Sequence, residues 1–378
     1  MLSVRDRFLP VSCPTLQADE IDRVVDVLRS GMWTTGPVTT QFEEKLSVYL
    51  DNTPCVGLNS CTAALFLGLL ATGVKPGDEV IVPVWTFAAT AHVVEWLGAK
   101  PILCDIESAS LNIDVAKAEV LCNAKTKAIM PVHMAGYPCD MNAIADLAQQ
   151  RGLIVVEDAA HAIGTKYKEK KIGTLSDVTC FSFYATKNLA MGEGGAVSCP
   201  DPDLAERIRA LGYFGINKSA FKRYEKAGAW RYDVEALGYQ YNLDSMHAAI
   251  GLVQLEHLDA ANRYRRHLAA RYREKLPVGI IPTVNSPEHY HTHHIYPVIL
   301  PEGVDRDDFF QNLKKYNIGA SVHFMPLHLH SYYAPRYPRG SFPVAEAVFE
   351  RIITLPMHNS MTEEDVDYVS EVCAGLIA

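Results

Sequence analysis

Between residues 55 and 157 short apolar runs alternate with helix-patterned stretches, and this alternation limits the folds open to the chain more than any other feature. Cys55 to Leu58, Glu79 to Val82, Pro101 to Cys104, Ala128 to Val132 and Leu153 to Glu157 read as strands. Helices are expected between them at 62–72, 86–97, 114–121 and 141–150. Repeats of this kind build an α/β fold with a mostly parallel, right-handed wound sheet flanked by helices. Two more helices, at 16–31 with Gly31 as its stop and one carrying Phe42, Leu46 and Leu50, come before the sheet.

An open sheet of this type binds ligands at the carboxyl ends of its strands. The run Leu153 to Val156 ends in Glu157-Asp158-Ala159-Ala160-His161, which sets a carboxylate at that edge. Downstream, DVTCFSFYATKNLAMGEGGAVSC (177–199) reads as a strand covered on both faces, a loop holding Lys187, and glycines 192, 194 and 195 that turn the backbone into a second apolar run. The neighbours of Lys187 give it no charge partner. A lysine so placed loses its proton cheaply and attacks carbonyls. Taken singly, Lys187 reads as a solvated loop lysine and Asp158 as a helix cap. Together they suit pyridoxal phosphate, the lysine holding the aldehyde while the acid keeps the pyridine nitrogen protonated.

The stretch Gly57 to Leu65 passes from strand into helix, where free amides and the Ser60 and Thr62 hydroxyls make a seat for a phosphate. It lacks the glycine pattern of a P-loop or a Rossmann turn, which disfavours nucleotide hydrolysis and dinucleotide binding. Phe87 either stacks on a flat ring or packs in the core. His161 either reaches a ring hydroxyl or sits half-buried at a helix start. The groups HYHTHH (289–294) and HFMPLHLH (323–330) have no tetrahedral ligand spacing, and surface placement or substrate contact is expected for them rather than a metal.

Past Gly195 the pattern changes. A helix at Leu204 to Leu211, a charged surface excursion from Lys218 to Ala229 and a long helix from Asp244 to about Leu276, stopped by Pro277, lead into a smaller α/β unit. In that unit 293–300 and 317–323 are extended, with helices at 305–315, 342–352 and 362–376. A large domain of 1–255 and a small one of 256–378 are expected. The formal charge of -9 and the absence of basic blocks argue against nucleic acid or a membrane surface as partner. Ala63 to Leu70 is far shorter than the roughly 20 residues of a membrane span, and Arg5, Asp6 and Arg7 interrupt any secretion signal. A cytoplasmic protein is expected, its nine cysteines reduced and free of any C-x-x-C pair.

The motifs SFYATKNLAMGEGG, EDAAH, NSCTAAL, PVHMAGYP and YNLDSMHAAIGLVQLEHL, in this order over nearly the whole chain, resemble the DegT/DnrJ/EryC1/StrS sugar aminotransferases, a family of fold type I pyridoxal phosphate enzymes. The resemblance implies that Lys187 bonds the cofactor aldehyde, Asp158 pairs with the ring nitrogen, His161 touches the ring hydroxyl and Phe87 stacks on the ring. It further implies that the Thr62 and Ala63 amides and the Ser182 hydroxyl hold the phosphate. Asn242 would reach the phosphate of a neighbouring subunit, which implies a homodimer with shared sites. Cys61 stands where the family usually has glycine. Trp33, Thr35 and His323 match segments that line the sugar-nucleotide cleft. The implied activity moves an amino group from L-glutamate to a nucleotide-linked keto sugar, and the short spacing from Lys187 to GEGG resembles the branch acting at carbon 4. Alternatives are the branch acting at carbon 3, a dehydratase of the same family, whose members carry histidine in place of the lysine, or a non-catalytic cofactor-binding protein. Arg231 is a candidate for the glutamate carboxylates.

Overall fold

A computed structural model describes residues 3–216 and 232–377; the stretch Lys218 to Ala229 and Arg231 lie outside the described residues. The main sheet contains β1 (Cys55–Leu58), β2 (Glu79–Pro83), β3 (Lys100–Cys104), β4 (Thr126–Ile129) and β5 (Ile154–Asp158). After a small ribbon of β6 (Lys166–Tyr167) and β7 (Lys170–Lys171) it is completed by β8 (Val178–Ser182) and β9 (Gly195–Ser198). The strand order is β1-β9-β8-β5-β4-β2-β3. Within this sheet β9 alone runs against the others, antiparallel to both β1 and β8, while β8, β5, β4, β2 and β3 pair in parallel. The carboxyl ends of β1, β2, β5 and β8 therefore share one edge.

Helices α1 (Ala18–Ser30) and α2 (Pro37–Tyr49) precede the sheet, α3 (Cys61–Ala71), α4 (Ala88–Trp96), α5 (Val115–Leu121) and α6 (Met141–Arg151) link its strands, and α7 (Pro202–Gly212) follows it. Successive strand side chains point to opposite faces. Val80, Val82, Val156, Cys180 and Val197 accordingly share a core with α3, α4 and α7. Ile81, Val155, Phe181 and Ala196 face the other way, onto α2, α5, α6 and α8 (Ser245–Lys275). Each large apolar side chain buried in this way contributes about 1.5–3 kcal/mol, which is why both faces of the sheet must be covered.

Helix α8 is 31 residues long, about 46 Å at the α-helical rise. Asp244 caps its start by accepting from the Met246 and His247 amides; at its end Leu276 is already extended ahead of Pro277. Its first half packs under the main sheet through Leu252, Leu255 and Leu258. Its last turns enter a separate core through Leu268, Ala269 and Tyr272. That core belongs to an antiparallel sheet of β10 (Ile281–Pro282), β11 (Tyr296–Ile299) and β12 (Ile352–Leu355). It is covered by α9 (Arg306–Lys315) and α11 (Glu363–Ile377), with α10 (Pro343–Phe349) packed against the larger core.

Two expectations differ from the structure in this region. The helix expected over 342–352 stops at Phe349, because Ile352-Ile353-Thr354-Leu355 is a β-branched run that pairs with β11. The segment 317–323 forms no strand. Its backbone partners are split between Leu9, which bridges Ile318, and Thr354, which bridges Ser321, so no continuous ladder develops.

Candidate active site

The sheet edge opens into a cavity of about 390 Å³ lined by Ser60, Thr62, Phe87, Asp158, Lys187 and His323, among others. Three local devices place its polar groups. The first is the start of α3. Ser60 is its N-cap, extended at φ -165, and its hydroxyl accepts the Ala63 amide at 3.1 Å. The Cys61 and Thr62 amides, the first two of the helix and without an intrahelical acceptor, are left at the cavity wall. Gly195 makes this seat possible: a Cβ there would lie 2.4 Å from the Ser60 carbonyl carbon and 2.5 Å from the Cys61 nitrogen. The Cys61 thiol is turned onto the Cys180 carbonyl, 3.7 Å away, and burial pushes its pKa well up.

The second device fixes Asp158 at the end of β5. Its Oδ2 accepts from the Thr90 hydroxyl at 2.8 Å and its Oδ1 from the Ala160 amide at 3.1 Å. Burial raises its pKa above the usual carboxylate range, opposed by these two hydrogen bonds and by the charge on Lys187. Beside it the Ala135 amide donates to His161 Nδ1 at 3.3 Å. That nitrogen is an acceptor, so Nε2 of His161 carries the proton. Burial, then Lys187, holds His161 well below the ordinary histidine pKa, and the ring stays neutral.

The third device is the loop between β8 and β9. The amides of Phe183 and Ala185 donate to Gly194 and Gly192, which folds the loop into an extension of the hairpin. Lys187 sits at its tip, its amide held by the Tyr184 carbonyl at 2.8 Å. Burial lowers the Lys187 pKa to about 8, and only partly do Cys61 and Asp158 offset this. The amine is thus available in its neutral, nucleophilic form near physiological pH.

Of the residues expected from sequence, Lys187, Asp158, Thr62, His161, Ser182, Phe87 and His323 all line this one cavity. Phe87 is 64 % exposed, which excludes core packing as its role. Ala63 does not line the cavity, and its amide is committed to Ser60. Trp33, Thr35 and Asn242 form a separate cluster: Asn242 Nδ2 donates to the Thr35 hydroxyl at 2.7 Å, and Trp33 Nε1 donates to the Leu28 carbonyl. None of the three lines the cavity of its own chain.

Sequence reasoning missed Thr90, Asn188, His294 and Phe324. Thr90 lies one turn beyond Phe87 and carries no motif of its own. Of the two placements expected for the histidine stretch, surface or substrate contact, the first fails for His291, His293 and His294, which are buried, and His294 joins the cavity wall with Phe324. They are interior because the segment before β11 crosses between the two cores, where the Arg265 guanidinium donates to the His294 carbonyl at 3.1 Å.

The residues present fit pyridoxal phosphate. The cavity combines an amine of lowered basicity, a fixed carboxylate, a neutral imidazole donor and an open helix N-terminus whose close approach to β9 tolerates no side chain at 195. Fold and site together are those of the fold type I transferases that work with this cofactor. The model of the DegT/DnrJ/EryC1/StrS aminotransferase family matches residues 14–373, and the chain belongs to that family. It is 43 % identical, over an alignment of 386 residues, to the spore coat polysaccharide biosynthesis protein SpsC of Bacillus subtilis, covering 100 % of this chain and 99 % of SpsC. Spr1654 of Streptococcus pneumoniae, assigned as a sugar aminotransferase and solved in its PMP form, superposes with a TM-score of 0.93 at 34 % identity, over 97 % of this chain and 98 % of its own. DesV of S. venezuelae, solved with a ketimine intermediate, gives 0.88 at 34 % identity over 97 % of each chain. Among the described residues no helix is long and apolar enough to cross a membrane.

Proposed function

We propose that this chain is a sugar-nucleotide aminotransferase that moves the amino group of L-glutamate to carbon 4 of a nucleotide-linked keto sugar. The observation that carries the reading is Lys187, with a pKa lowered to about 8, opening into the same cavity as the buried Asp158 carboxylate.

Lys187 would join the cofactor aldehyde, Asp158 would face the ring nitrogen, His161 would donate through Nε2 to the ring oxygen, and Phe87 would cover the ring. The Thr62 amide, with that of Cys61 and the Ser182 hydroxyl, would hold the phosphate. Ala63 enters only by way of Ser60. Bound there, pyridoxal phosphate supplies an electron sink for the charge left when a carbon beside nitrogen loses its proton. Asp158, as a carboxylate held by Thr90 and Ala160, keeps the ring nitrogen positive. The freed Lys187 amine takes the proton from the donor carbon at Nζ and returns it at a neighbouring position, work suited to a base whose pKa lies near the operating pH.

The exposed Trp33 and the half-buried Thr35 and Asn242 lie outside their own chain's cavity, which supports a homodimer in which they complete the partner's site. Residues 1–255 would supply the cofactor pocket, and 256–378 would close it through His294, His323 and Phe324. The test is direct. Protein loaded with pyridoxal phosphate should lose its visible band on adding L-glutamate and regain it with one of a panel of UDP-, GDP- and dTDP-linked 4-keto sugars. A band that glutamate leaves unchanged would refute the reading.

A further inference from the structure

Two amide side chains and an imidazole form an ordered chain behind Lys187. Asn262 Nδ2 donates to the Ile163 carbonyl at 3.2 Å, and its Oδ1 accepts from Asn188 Nδ2 at 2.7 Å. The same Asn188 nitrogen donates to the Thr292 carbonyl at 3.1 Å. A carbonyl can only accept, so the Asn188 atom facing Thr292 is nitrogen and the one facing His294 is oxygen. His294 Nδ1 lies 3.0 Å from that oxygen and must therefore carry the ring proton. Its Nε2 is left bare, 3.5 Å from Lys187 Nζ. Asn188, Asn262 and His294 are all buried, so water offers little competition for these bonds.

We propose that His294 is a catalytic residue of this site: with its tautomer set by Asn188, it accepts a hydrogen bond from Lys187 Nζ and so fixes the direction of the amine's lone pair. The inference rests on the reading of Lys187 as the reacting amine. A neutral amine has two N–H bonds and one lone pair; committing one N–H to Nε2 turns the lone pair away from the imidazole, free for a carbonyl carbon. The charged and titratable groups facing this pair are Asp158 and Cys61 around Lys187, and His161, His323 and Arg265 around His294. Burial, then Lys187, holds His294 well below the ordinary histidine pKa. It remains an uncharged acceptor and does not compete for the lysine's proton. Such an acceptor bonds an ammonium more strongly than an amine, so its removal lowers the Lys187 pKa.

The rate at which apoprotein captures pyridoxal phosphate, seen as growth of the visible band on mixing, follows the fraction of Lys187 present as free amine. In His294→Phe, which keeps an aromatic ring but no acceptor, the midpoint of the capture-pH profile should move down by about one unit, the scale of a hydrogen bond to a charged group. In His294→Gln, whose side-chain oxygen can accept, it should stay with the parent. In the loaded enzyme, kcat for the glutamate half-reaction should fall roughly tenfold or more in the Phe variant, with KM within about twofold. Capture profiles of parent and His294→Phe that superimpose would overturn the proposal, and so would Phe and Gln variants that shift alike. Nitrogen-15 spectra of histidine-labelled parent apoprotein, assigned against His294→Gln, test the tautomer without depending on the Phe variant: Nδ1–H supports the proposal and Nε2–H overturns it. Parent apoprotein that captures no cofactor at any pH would refute the functional reading instead, and this inference with it.

Discussion

Thr90→Val removes the hydroxyl that holds Asp158 while nearly conserving side-chain volume. The Thr90 hydroxyl donates to Asp158 Oδ2 at 2.8 Å, and it lies 2.7 Å from the Thr86 hydroxyl, its partner on the other side. Thr90 is fully buried and Asp158 nearly so, which leaves no water to replace the lost donor. A hydrogen bond to a charged group is worth about 1.5–3 kcal/mol, and about 1.36 kcal/mol corresponds to one pKa unit. The Asp158 pKa, already raised by burial, should therefore climb by about one to two further units. Activity requires the carboxylate, so the acid limb of kcat/KM for glutamate should move to higher pH by that amount, while the alkaline limb stays in place. Cofactor affinity, followed by fluorescence at fixed pH, should fall about tenfold or more. Thr90→Ser, which keeps the hydroxyl, should remain close to the parent. If Thr90→Val folds with an unchanged acid limb and holds the cofactor as tightly as the parent does, Asp158 is not the anion that the ring nitrogen requires.

Three further outcomes are expected. Lys187→Arg should bind pyridoxal phosphate without a visible band that glutamate can bleach, and glutamate-dependent bleaching in that variant would remove Lys187 from its role. Gly195→Ala drives a methyl to within 2.4 Å of the Ser60 carbonyl carbon. It should weaken cofactor binding well beyond a neutral glycine-to-alanine change, as titration of the apoprotein would show, and should lower the melting temperature. Because the folded-state pKa of Lys187 lies near 8 against an ordinary 10.5, the unfolded chain binds the extra proton between these values, and apoprotein stability gains from this group as pH rises through that window. The stability advantage of Lys187→Met over the parent, measured by urea unfolding, should therefore shrink from pH 8 to 10.5; a constant difference would contradict a lowered lysine pKa.

Much of the large unit was legible because its signals are local. Strands β1 to β5 and the helices between them follow from apolar runs and turns, and the Asp244 cap and Pro277 mark the ends of α8 almost to the residue. The smaller unit was less legible. β12 declares itself only by pairing with β11, and 317–323 stays irregular because its neighbours come from Leu9 at one end and Thr354 at the other. In the site the strong local motifs, Lys187 with GEGG and Asp158 after an apolar strand, could be read directly. Thr90, Asn188 and His294 could not, since each acts through a partner distant in the chain.

The order of residues alone thus determined a wound α/β sheet with a nucleophilic lysine and an acid at its ligand-binding edge, because hydrophobic period, turn chemistry and the lack of charge partners beside Lys187 are properties of short stretches. Tertiary structure alone decided the protonation of the site. Burial lowers the Lys187 pKa and raises that of Asp158, and the amide chain from Asn262 through Asn188 sets which nitrogen of His294 is bare. Desolvation and hydrogen-bond direction depend on what surrounds a group in space, which no stretch of neighbouring residues specifies.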